Sequence, residues 1–172
     1  KADCAVKRFK DLYADAIVQP AIHRLDMATS GLLVMARTKE THRNISIQFQ
    51  DRVVKKRYEA LIEGKVLEMS GTIELPFRLD VDNRPYQIYD EKYGKMGTTH
   101  WKKLKEEGEF TRVEFEPITG RTHQLRIHSA HEKGLGLPIV GDFLYGNGTD
   151  TNQLKLHAKF LAFNHPITEE WL

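Results

Sequence analysis

Strand-like and helix-like segments follow one another along this chain without a regular alternation. Apolar residues at helical spacing predict helices over residues 4–18, 39–51 and 122–133. Apolar strand patterns occur over residues 32–36, 54–62, 71–75, 98–104 and 111–116, while residues 154–163 fit either a strand or a helix. Such a mixture is typical of α+β proteins, so the sequence predicts one α+β domain over residues 1–172.

Turn and capping residues support several of these boundaries. Asp3 is the predicted N-cap of the first helix, and Gly134 is the predicted C-cap of the third. Residues 98–104 and 111–116 flank a short charged connection that contains Gly108. A glycine between two strands favours a hairpin, so these strands are expected to pair antiparallel.

The composition excludes several classes of protein. Of the 172 residues, 40% are hydrophobic and 29% are charged, and the longest apolar runs are far too short to span a membrane. The single cysteine, Cys4, excludes an intrachain disulfide and a multi-cysteine zinc site, which suits a soluble protein of a reducing cytoplasm. Lys and Arg number 26 against 24 Asp and Glu, so the net charge is only +2. Any site for a polyanion must therefore come from local clustering.

The first cluster of charged residues is His23-Arg24-Leu25-Asp26, which is followed by small polar residues typical of a loop. A carboxylate so close to an arginine and a histidine can act as a base or a nucleophile whose reactivity the neighbouring charges tune. The alternative is that Asp26 makes only a turn or an exposed ion pair. The pattern alone leaves both interpretations open.

The second cluster lies at the start of a strand. Residues 54–62 alternate, which places Tyr58 on the same face as Ala60 and Ile62. Three cations precede the tyrosine: Lys55, Lys56 and Arg57. Basic residues beside an aromatic ring can bind a nucleic-acid backbone and a stacked base. A charged strand that discourages aggregation would explain the same residues.

Three histidines near the third predicted helix support two further interpretations. His128 and His131 are three residues apart and could share a helix face as metal ligands, but His123 is rotated well away from that face. Arg126 instead shares a side of the helix with His123, just after the turn at residues 120–122. An arginine and a histidine in this position suit an anion such as phosphate. The alternative is a solvated basic face.

Taken in order, six segments resemble the RluA-type pseudouridine synthases. They are HRLD at 23–26, KKRYEALIEG at 55–64, PITGRTHQLRIH at 117–128, GD-LYG at 141–146, LKLHA at 154–158 and HP at 165–166. The combination of HRLD with TGRTHQLR is specific, unlike any one short segment. The resemblance implies a catalytic domain with a mixed, mostly antiparallel β-sheet, flanking helices and an RNA-binding cleft. It also implies isomerisation of uridine in RNA to its C-glycoside, with no cofactor, no metal and no obligate protein partner.

The same resemblance implies roles for individual residues. Asp26 matches the essential carboxylate that begins breaking the N1–C1′ bond, either by attacking the nucleoside or by taking a sugar proton. Tyr58 matches the tyrosine that packs against the target uracil and assists removal of the C5 proton. Arg126 matches a basic residue that pairs with the aspartate. Arg24 matches a residue that enters the RNA stack where the uridine has been flipped out.

Weaker matches predict further contacts with RNA. They are His23, Lys55, Lys56, Arg57, Arg84, Arg121 and His123. The segment at residues 83–85 is most similar to the subgroup that acts on both large-subunit rRNA and tRNA, so uridines in 23S rRNA, tRNA or both are the expected targets. The family's N-terminal strand, its Lys-Pro-x-Gly loop and its continuation after the HP pair have no counterpart here. The chain is therefore expected to be trimmed at both ends.

Two other functions compete with an isomerase. A non-catalytic RNA-binding module would use the same basic residues, but it would not need Asp26 together with Tyr58 and Arg126. A metal-dependent hydrolase would need the three histidines to converge on one point.

Overall fold

The computed structural model describes residues 3–150 and 152–172, which form two compact units. The smaller unit contains the described residues up to 25, residues 32–55 and residues 161–172; the larger contains residues 26–31 and 56–160. In chain order the elements are α1 (Ala5–Leu12), β1 (Ser30–Gly31), α2 (Lys39–Gln50), β2 (Lys55–Glu63), β3 (Ser70–Leu79), β4 (Gln87–Tyr89), β5 (Lys95–Glu107), β6 (Phe110–Pro117), α3 (Gln124–Ala130) and β7 (Leu156–Ala162). None of the helices in the described part of the chain is long and apolar enough to cross a membrane.

The sheet has seven strands in the order β1-β7-β2-β6-β5-β3-β4. The pairs β2–β6, β6–β5, β5–β3 and β3–β4 are antiparallel, whereas β1 runs parallel to β7. The α+β class and the mixed, mostly antiparallel sheet are therefore confirmed. The predicted hairpin is β5–β6, in which Glu107 faces Phe110. Gly108 lies in the turn with a φ of +61°, a conformation that glycine adopts without a steric cost.

The two faces of β2 differ in their surroundings. Ala60 and Ile62 are buried, and Tyr58 packs against the same core, so the predicted alternation is confirmed. We call this the inner face; Arg57 and Glu59 lie on the opposite, outer face. The same core also contains Ile73, Leu75 and Phe77 of β3, Val113 and Phe115 of β6, and Leu125 and Ile127 of α3. Helix α3 thus packs on the inner side of the sheet.

Helix α2 has nearly its predicted bounds. Its N-cap is Thr38, whose hydroxyl accepts the backbone N–H of Thr41 at 3.2 Å, a bond that satisfies one of the free donors of the first turn. Ile45 is buried on one side of the helix. Local capping and one apolar contact surface agree here, which is why the sequence pattern predicts this helix well.

Helix α1 is shorter than predicted. It ends at Leu12 instead of residue 18 and buries none of its side chains, so no tertiary packing stabilises further turns. The predicted cap is also wrong. Cys4 is the N-cap, and the Asp3 carboxylate instead accepts hydrogen bonds from Arg8.

Other boundaries differ because they depend on tertiary contacts. The predicted strand over residues 32–36 does not form, and only a single bridge joins Ala21 to Met35. Helix α3 ends at Ala130, so Gly134 is not its cap; the Gly134 N–H bonds to the carbonyl of His131 in a following turn. The ambiguous segment over residues 154–163 contains strand β7. The short strand β4 has no counterpart among the predicted elements.

Candidate active site

Asp26 lies in a short loop that is fixed to the edge of the sheet. Its side chain is half-buried, and its carbonyl accepts the N–H of Thr29 at 2.9 Å, which closes a turn. Ser30 and Gly31 then pair with β7 at His157 and Ala158. Gly31 has a φ of +119°, and the backbone of Ala158 leaves no space for a Cβ atom there. Glycine is therefore required at the point that anchors the Asp26 loop.

Tyr58 lies in the middle of β2 on the inner face, where it pairs in register with Phe115. Burial raises the pKa of Tyr58, and the negative charge of Asp26 raises it further. The charge of Asp26 thus affects Tyr58 although the two residues are 32 positions apart in sequence. A phenol with a raised pKa stays protonated at neutral pH.

Arg126 forms a buried ion pair, but its partner is Asp142. Its Nε lies 2.8 Å from Asp142 Oδ2 and one terminal nitrogen lies 2.6 Å from Oδ1, with both side chains at most 2% exposed. The same carboxylate accepts the backbone N–H groups of Leu144 and Tyr145. Among the described residues no ion pair joins Arg126 to Asp26, so the predicted pairing is wrong. A planar guanidinium prefers the two-bond geometry that Asp142 provides.

Tyr145 connects Arg126 to the rest of the site. Its hydroxyl accepts the backbone N–H of Gln87 at 2.8 Å and contacts His123 Nδ1 at 2.9 Å. Its ring centroid lies 5.2 Å from the guanidinium carbon of Arg126. Burial raises the pKa of Tyr145 to about 12; the Gln87 hydrogen bond and the charge of Arg126 oppose this rise, while Asp142 and Asp26 add to it. The charges of Asp26 and Arg126 thus both affect the pKa of Tyr145.

Gln124 fixes the turn before α3. Its side-chain oxygen accepts the Thr119 hydroxyl at 2.7 Å and the Arg121 N–H at 3.1 Å. Its amide nitrogen donates to the Thr98 carbonyl and the Thr99 hydroxyl on β5. These bonds hold the turn, and with it Arg121, at a fixed position on the sheet.

Two predicted RNA contacts lie on the same side of the sheet as Tyr58. Lys56 precedes Tyr58 by two residues, and its ammonium nitrogen lies 3.4 Å from the position that a Cβ atom on Gly120 would occupy. Burial lowers the pKa of Lys56. The guanidinium carbon of Arg121 lies 4.7 Å from the centroid of the Phe77 ring. The site therefore has two partly buried cations around the turn at residue 120.

Arg57 does not belong to this group. It extends from the outer face, where its guanidinium lies 4.0 Å from the ring centroid of Phe160 and 4.0 Å from Glu114. Successive side chains of a strand point to opposite faces, so Arg57 and Tyr58 cannot serve one surface. The prediction that Arg57 contacts RNA beside Tyr58 is therefore not supported by the geometry.

The other predicted contacts are distributed between the two units. Arg84 of the larger unit is exposed. In the smaller unit, Lys55 and Arg24 are exposed, while His23 accepts the Val34 N–H at 3.1 Å and stacks on Phe49 at 4.9 Å. His23 therefore has a structural role in its own unit.

The three histidines near α3 do not converge. His123 is the N-cap of α3 with a φ of 54°, and its ring contacts Tyr145. His128 is fully buried, and neither ring nitrogen has a hydrogen-bond partner among the described residues. Burial lowers the pKa of His128 to about 4. His131 packs against Tyr89 at 5.1 Å. Within the described part of the chain, no three potential ligands form a metal-binding group.

Sequence reasoning did not assign a role to three residues of this site. Asp142 and Tyr145 are part of the GD-LYG segment, and Gln124 is part of the TGRTHQLR segment. A buried acid in a glycine-rich loop, 16 positions after an arginine, has no local pattern that reveals its partner. Only their presence in these two motifs could have pointed to these residues from the sequence.

Comparison with known proteins shows the family to which the chain is similar. A model of the family described as RNA pseudouridylate synthase matches residues 3–131. The dual-specificity RNA pseudouridine synthase RluA of Pasteurella multocida is 43% identical, over 99% of this chain and 77% of the relative. The protein of the same name from Haemophilus influenzae is 40% identical, over 98% of this chain and 76% of the relative. The solved structure of human RNA pseudouridylate synthase domain containing 1 superposes with a TM-score of 0.77 at 28% identity, over 97% of this chain and 71% of that chain.

Proposed function

The chain belongs to the RNA pseudouridylate synthase family, and we propose that it isomerises specific uridines of 23S rRNA, tRNA or both through Asp26. The activity itself, pseudouridine synthesis on RNA, follows from the family. The relatives named above are described as dual-specificity enzymes, which supports more than one RNA substrate for this chain. We place the reaction in the cytoplasm, where such RNAs are found.

Two observations support the assignment of Asp26: its loop is anchored to the edge of the sheet, and its negative charge contributes to the raised pKa of Tyr58 on the inner face. The backbone of the Asp26 loop is anchored to the sheet at Gly31, which limits the movement of the loop. A carboxylate held beside a half-buried aromatic ring suits a nucleoside, because the ring packs on the base while the carboxylate reaches the sugar.

The proposed reaction rearranges bonds within one nucleotide. Asp26 begins cleavage of the N1–C1′ bond, by attack on the nucleoside or by removal of a sugar proton. The uracil turns so that C5 bonds to C1′, the C5 proton leaves, and N1 gains a proton, so the product is an isomer of uridine. No oxidant, reductant or metal is needed to balance these steps.

Tyr58 supports this reaction in two ways. Its ring packs against the uracil, and its hydroxyl assists the loss of the C5 proton. Because the pKa of Tyr58 is raised, the hydroxyl acts as a neutral phenol that relays a proton rather than as a phenolate.

Arg126 acts through its neighbours. Its positive charge is paired with the Asp142 carboxylate, and both residues contact Tyr145. We therefore propose Arg126 and Asp142 as positioning residues for this wall of the site.

The side chains proposed to contact RNA are those that the resemblance predicts, apart from Arg57. They are Lys56, Arg84, Arg121, His123, Arg24, His23 and Lys55. A target base within a stem must be flipped out before the reaction, and a planar cation such as Arg24 is suited to fill the gap. Arg57 is excluded because it lies on the outer face.

The experiment that tests this function measures tritium release from 23S rRNA and tRNA transcripts that contain uridine labelled at C5. We expect release to accompany pseudouridine formation and to continue in excess EDTA. Loss of activity in EDTA would support a metal-dependent reaction instead. Binding of both RNAs without any tritium release would identify a non-catalytic RNA-binding module.

A further inference from the structure

The loop between β3 and β4, residues 80–86, presents a cation and an aromatic ring together. Arg84 is exposed, and its guanidinium makes no hydrogen bond or ion pair with the described residues. Tyr86, two positions later, has 36% of its surface exposed. An unpaired cation and an accessible aromatic ring are the two groups that bind single-stranded nucleic acid, one at the phosphate and one at the base.

The loop is held in shape by its own hydrogen bonds. The Asp80 carboxylate accepts the N–H groups of Asp82 and Asn83 and the side-chain amide of Asn83. The Asp80 N–H donates to the Tyr86 carbonyl at 2.9 Å, and the Tyr86 N–H donates to the Asn83 carbonyl at 3.0 Å. The backbone around Tyr86 is therefore ordered before any ligand binds, which lowers the entropic cost of binding.

Tyr86 is also tied to the candidate active site. Its ring meets that of Tyr145 at 5.9 Å and 81°. The N–H of the next residue, Gln87, donates to the Tyr145 hydroxyl. Tyr145 in turn contacts His123 and packs beside Arg126. The Tyr145 ring thus lies between Tyr86 and two residues of the candidate site, His123 and Arg126.

We propose that Tyr86 is a second nucleobase subsite, which stacks on a base next to the flipped uridine while Arg84 binds the adjoining phosphate. The proposal rests on the function proposed above and adds a residue that requires a base, of any identity, beside the target. Flipping one base unstacks its neighbours, so an aromatic ring beside the site recovers part of the lost stacking. Every base has a flat face, and the subsite should therefore accept any base but require one.

The test couples a change in the protein to a change in the RNA. The probe is a tritium-labelled stem-loop, cut from whichever 23S rRNA or tRNA transcript the parent enzyme modifies, in which flanking nucleotides are replaced one at a time by an abasic ribose. We expect one abasic position to weaken binding to the parent about tenfold. Tyr86→Ala should bind the intact RNA about tenfold more weakly than the parent does. Its affinity should not fall further when the sensitive nucleotide is made abasic.

The variants separate stacking from simple packing. Tyr86→Phe keeps the ring, so both the affinity and the abasic penalty should match those of the parent. For Tyr86→Ala, the RNA concentration at half-maximal rate should rise, while the single-turnover rate at saturating RNA stays near the parent value. Tyr86→Leu, which preserves apolar packing, replaces the alanine variant if melting curves show that the latter is unfolded.

A matched control is available on the neighbouring loop. Tyr93 is 67% exposed and has Lys92 over its ring at 5.0 Å, and none of its interactions reaches the candidate site. Tyr93→Ala should keep the parent's affinity and abasic penalty. If Tyr86→Ala and each abasic substitution weaken RNA binding independently, so that their effects multiply at every position, the subsite does not exist. Tritium release by the parent would still uphold the proposed function in that case. Absence of release from every RNA overturns the proposed function itself.

Discussion

Two neighbouring cations of strand β2 lie on opposite faces of the sheet and have different surroundings. Lys56 lies on the inner face beside Gly120, where burial lowers its pKa. Arg57, the next residue, lies on the outer face over the Phe160 ring and near Glu114. The sequence presents both as one basic cluster, but the strand separates them. A count of adjacent cations therefore does not identify a binding surface.

Pairing with carboxylates distinguishes the two faces further. On the outer face, Glu114 accepts Lys102 and Lys159 at 2.9 Å each, and Glu59 accepts Lys159 and Arg112 at 3.0 Å each. Burial alone would raise the pKa of Glu114, but the hydrogen bonds from Lys159 and Lys102 hold it below its usual value. These cations already have anionic partners. An RNA phosphate would have to displace a carboxylate to bind there.

The inner face is different. The Arg121 guanidinium has an aromatic ring as its neighbour and no carboxylate partner among the described residues. The buried ion pair of Arg126 with Asp142 holds the wall of the site. The comparison predicts that matched substitutions on the two faces will differ in activity, stability and salt dependence.

The largest difference is expected between two carboxylates. Asp26→Asn should slow isomerisation by about ten thousandfold or more, because an amide is neither an effective nucleophile nor a base. Glu59→Gln, on the outer face, should keep nearly the parent rate. Single-turnover tritium release measures both, with filter binding and melting curves to show that RNA affinity and fold are retained. Comparable release by Asp26→Asn and the parent would rule out Asp26 as the catalytic residue.

Stability should respond differently to the loss of one cation from each face. Arg126→Met leaves the buried Asp142 carboxylate without its partner and should lower the free energy of unfolding by about 3–5 kcal/mol. Lys102→Met removes an exposed cation from Glu114, which keeps Lys159, and should cost about 1 kcal/mol or less. Denaturant unfolding measures both values. Similar losses for the two variants would mean that the buried pair has no special role.

The buried His128 should make stability depend on pH. Its pKa is about 4 in the folded protein, below the usual value of about 6.5, so its neutral form is favoured by folding. Stability from this group is complete above about pH 6.5 and is lost as the pH falls toward 4, by up to about 3 kcal/mol. His128→Leu should weaken this loss, which unfolding at pH 8 and pH 5 will show. At pH 8 His128 is neutral in both the folded and the unfolded protein, so the change in unfolding free energy of the same variant there measures the cost of repacking alone.

Tyr58 tests whether the inner face contributes chemistry as well as packing. Tyr58→Phe should slow turnover about a hundredfold and leave RNA affinity nearly unchanged, because the ring remains while the hydroxyl is lost. Tyr58→Leu should reduce both. Near-normal tritium release by the phenylalanine variant would limit Tyr58 to a packing role.

The fold was predictable where a local pattern and the tertiary contacts agree. Tyr58, Ala60 and Ile62 alternate in sequence and share the inner face, and Gly108 closes the hairpin. Residues 32–36 fail this condition, because an apolar run does not show whether a partner strand lies beside it. The start of α3 is also invisible to periodicity, since it depends on the left-handed conformation of His123.

The site was predictable only in part for a similar reason. Motif resemblance assigned roles to Asp26 and Tyr58, and in the structure the charge of Asp26 contributes to the raised pKa of Tyr58. The predicted partner of Arg126 was wrong, because a sequence motif gives residue types and does not show which carboxylate pairs with an arginine in the folded protein. Asp142 takes that place, and its carboxylate is oriented by the backbone N–H groups of Leu144 and Tyr145, which donate to it.

Salt dependence gives the smallest but most direct test of the two faces. If Lys56 and Arg121 contact phosphates, each releases about one counterion when RNA binds, so Lys56→Gln or Arg121→Gln should reduce the slope of log affinity against log salt by about one. Lys102→Gln on the outer face should leave the slope unchanged, because Lys102 already pairs with Glu114. Filter binding between low and physiological salt measures the three slopes. An equal reduction for all three variants would show that RNA contacts both faces, and the carboxylate partners of the outer face would then not exclude a polyanion.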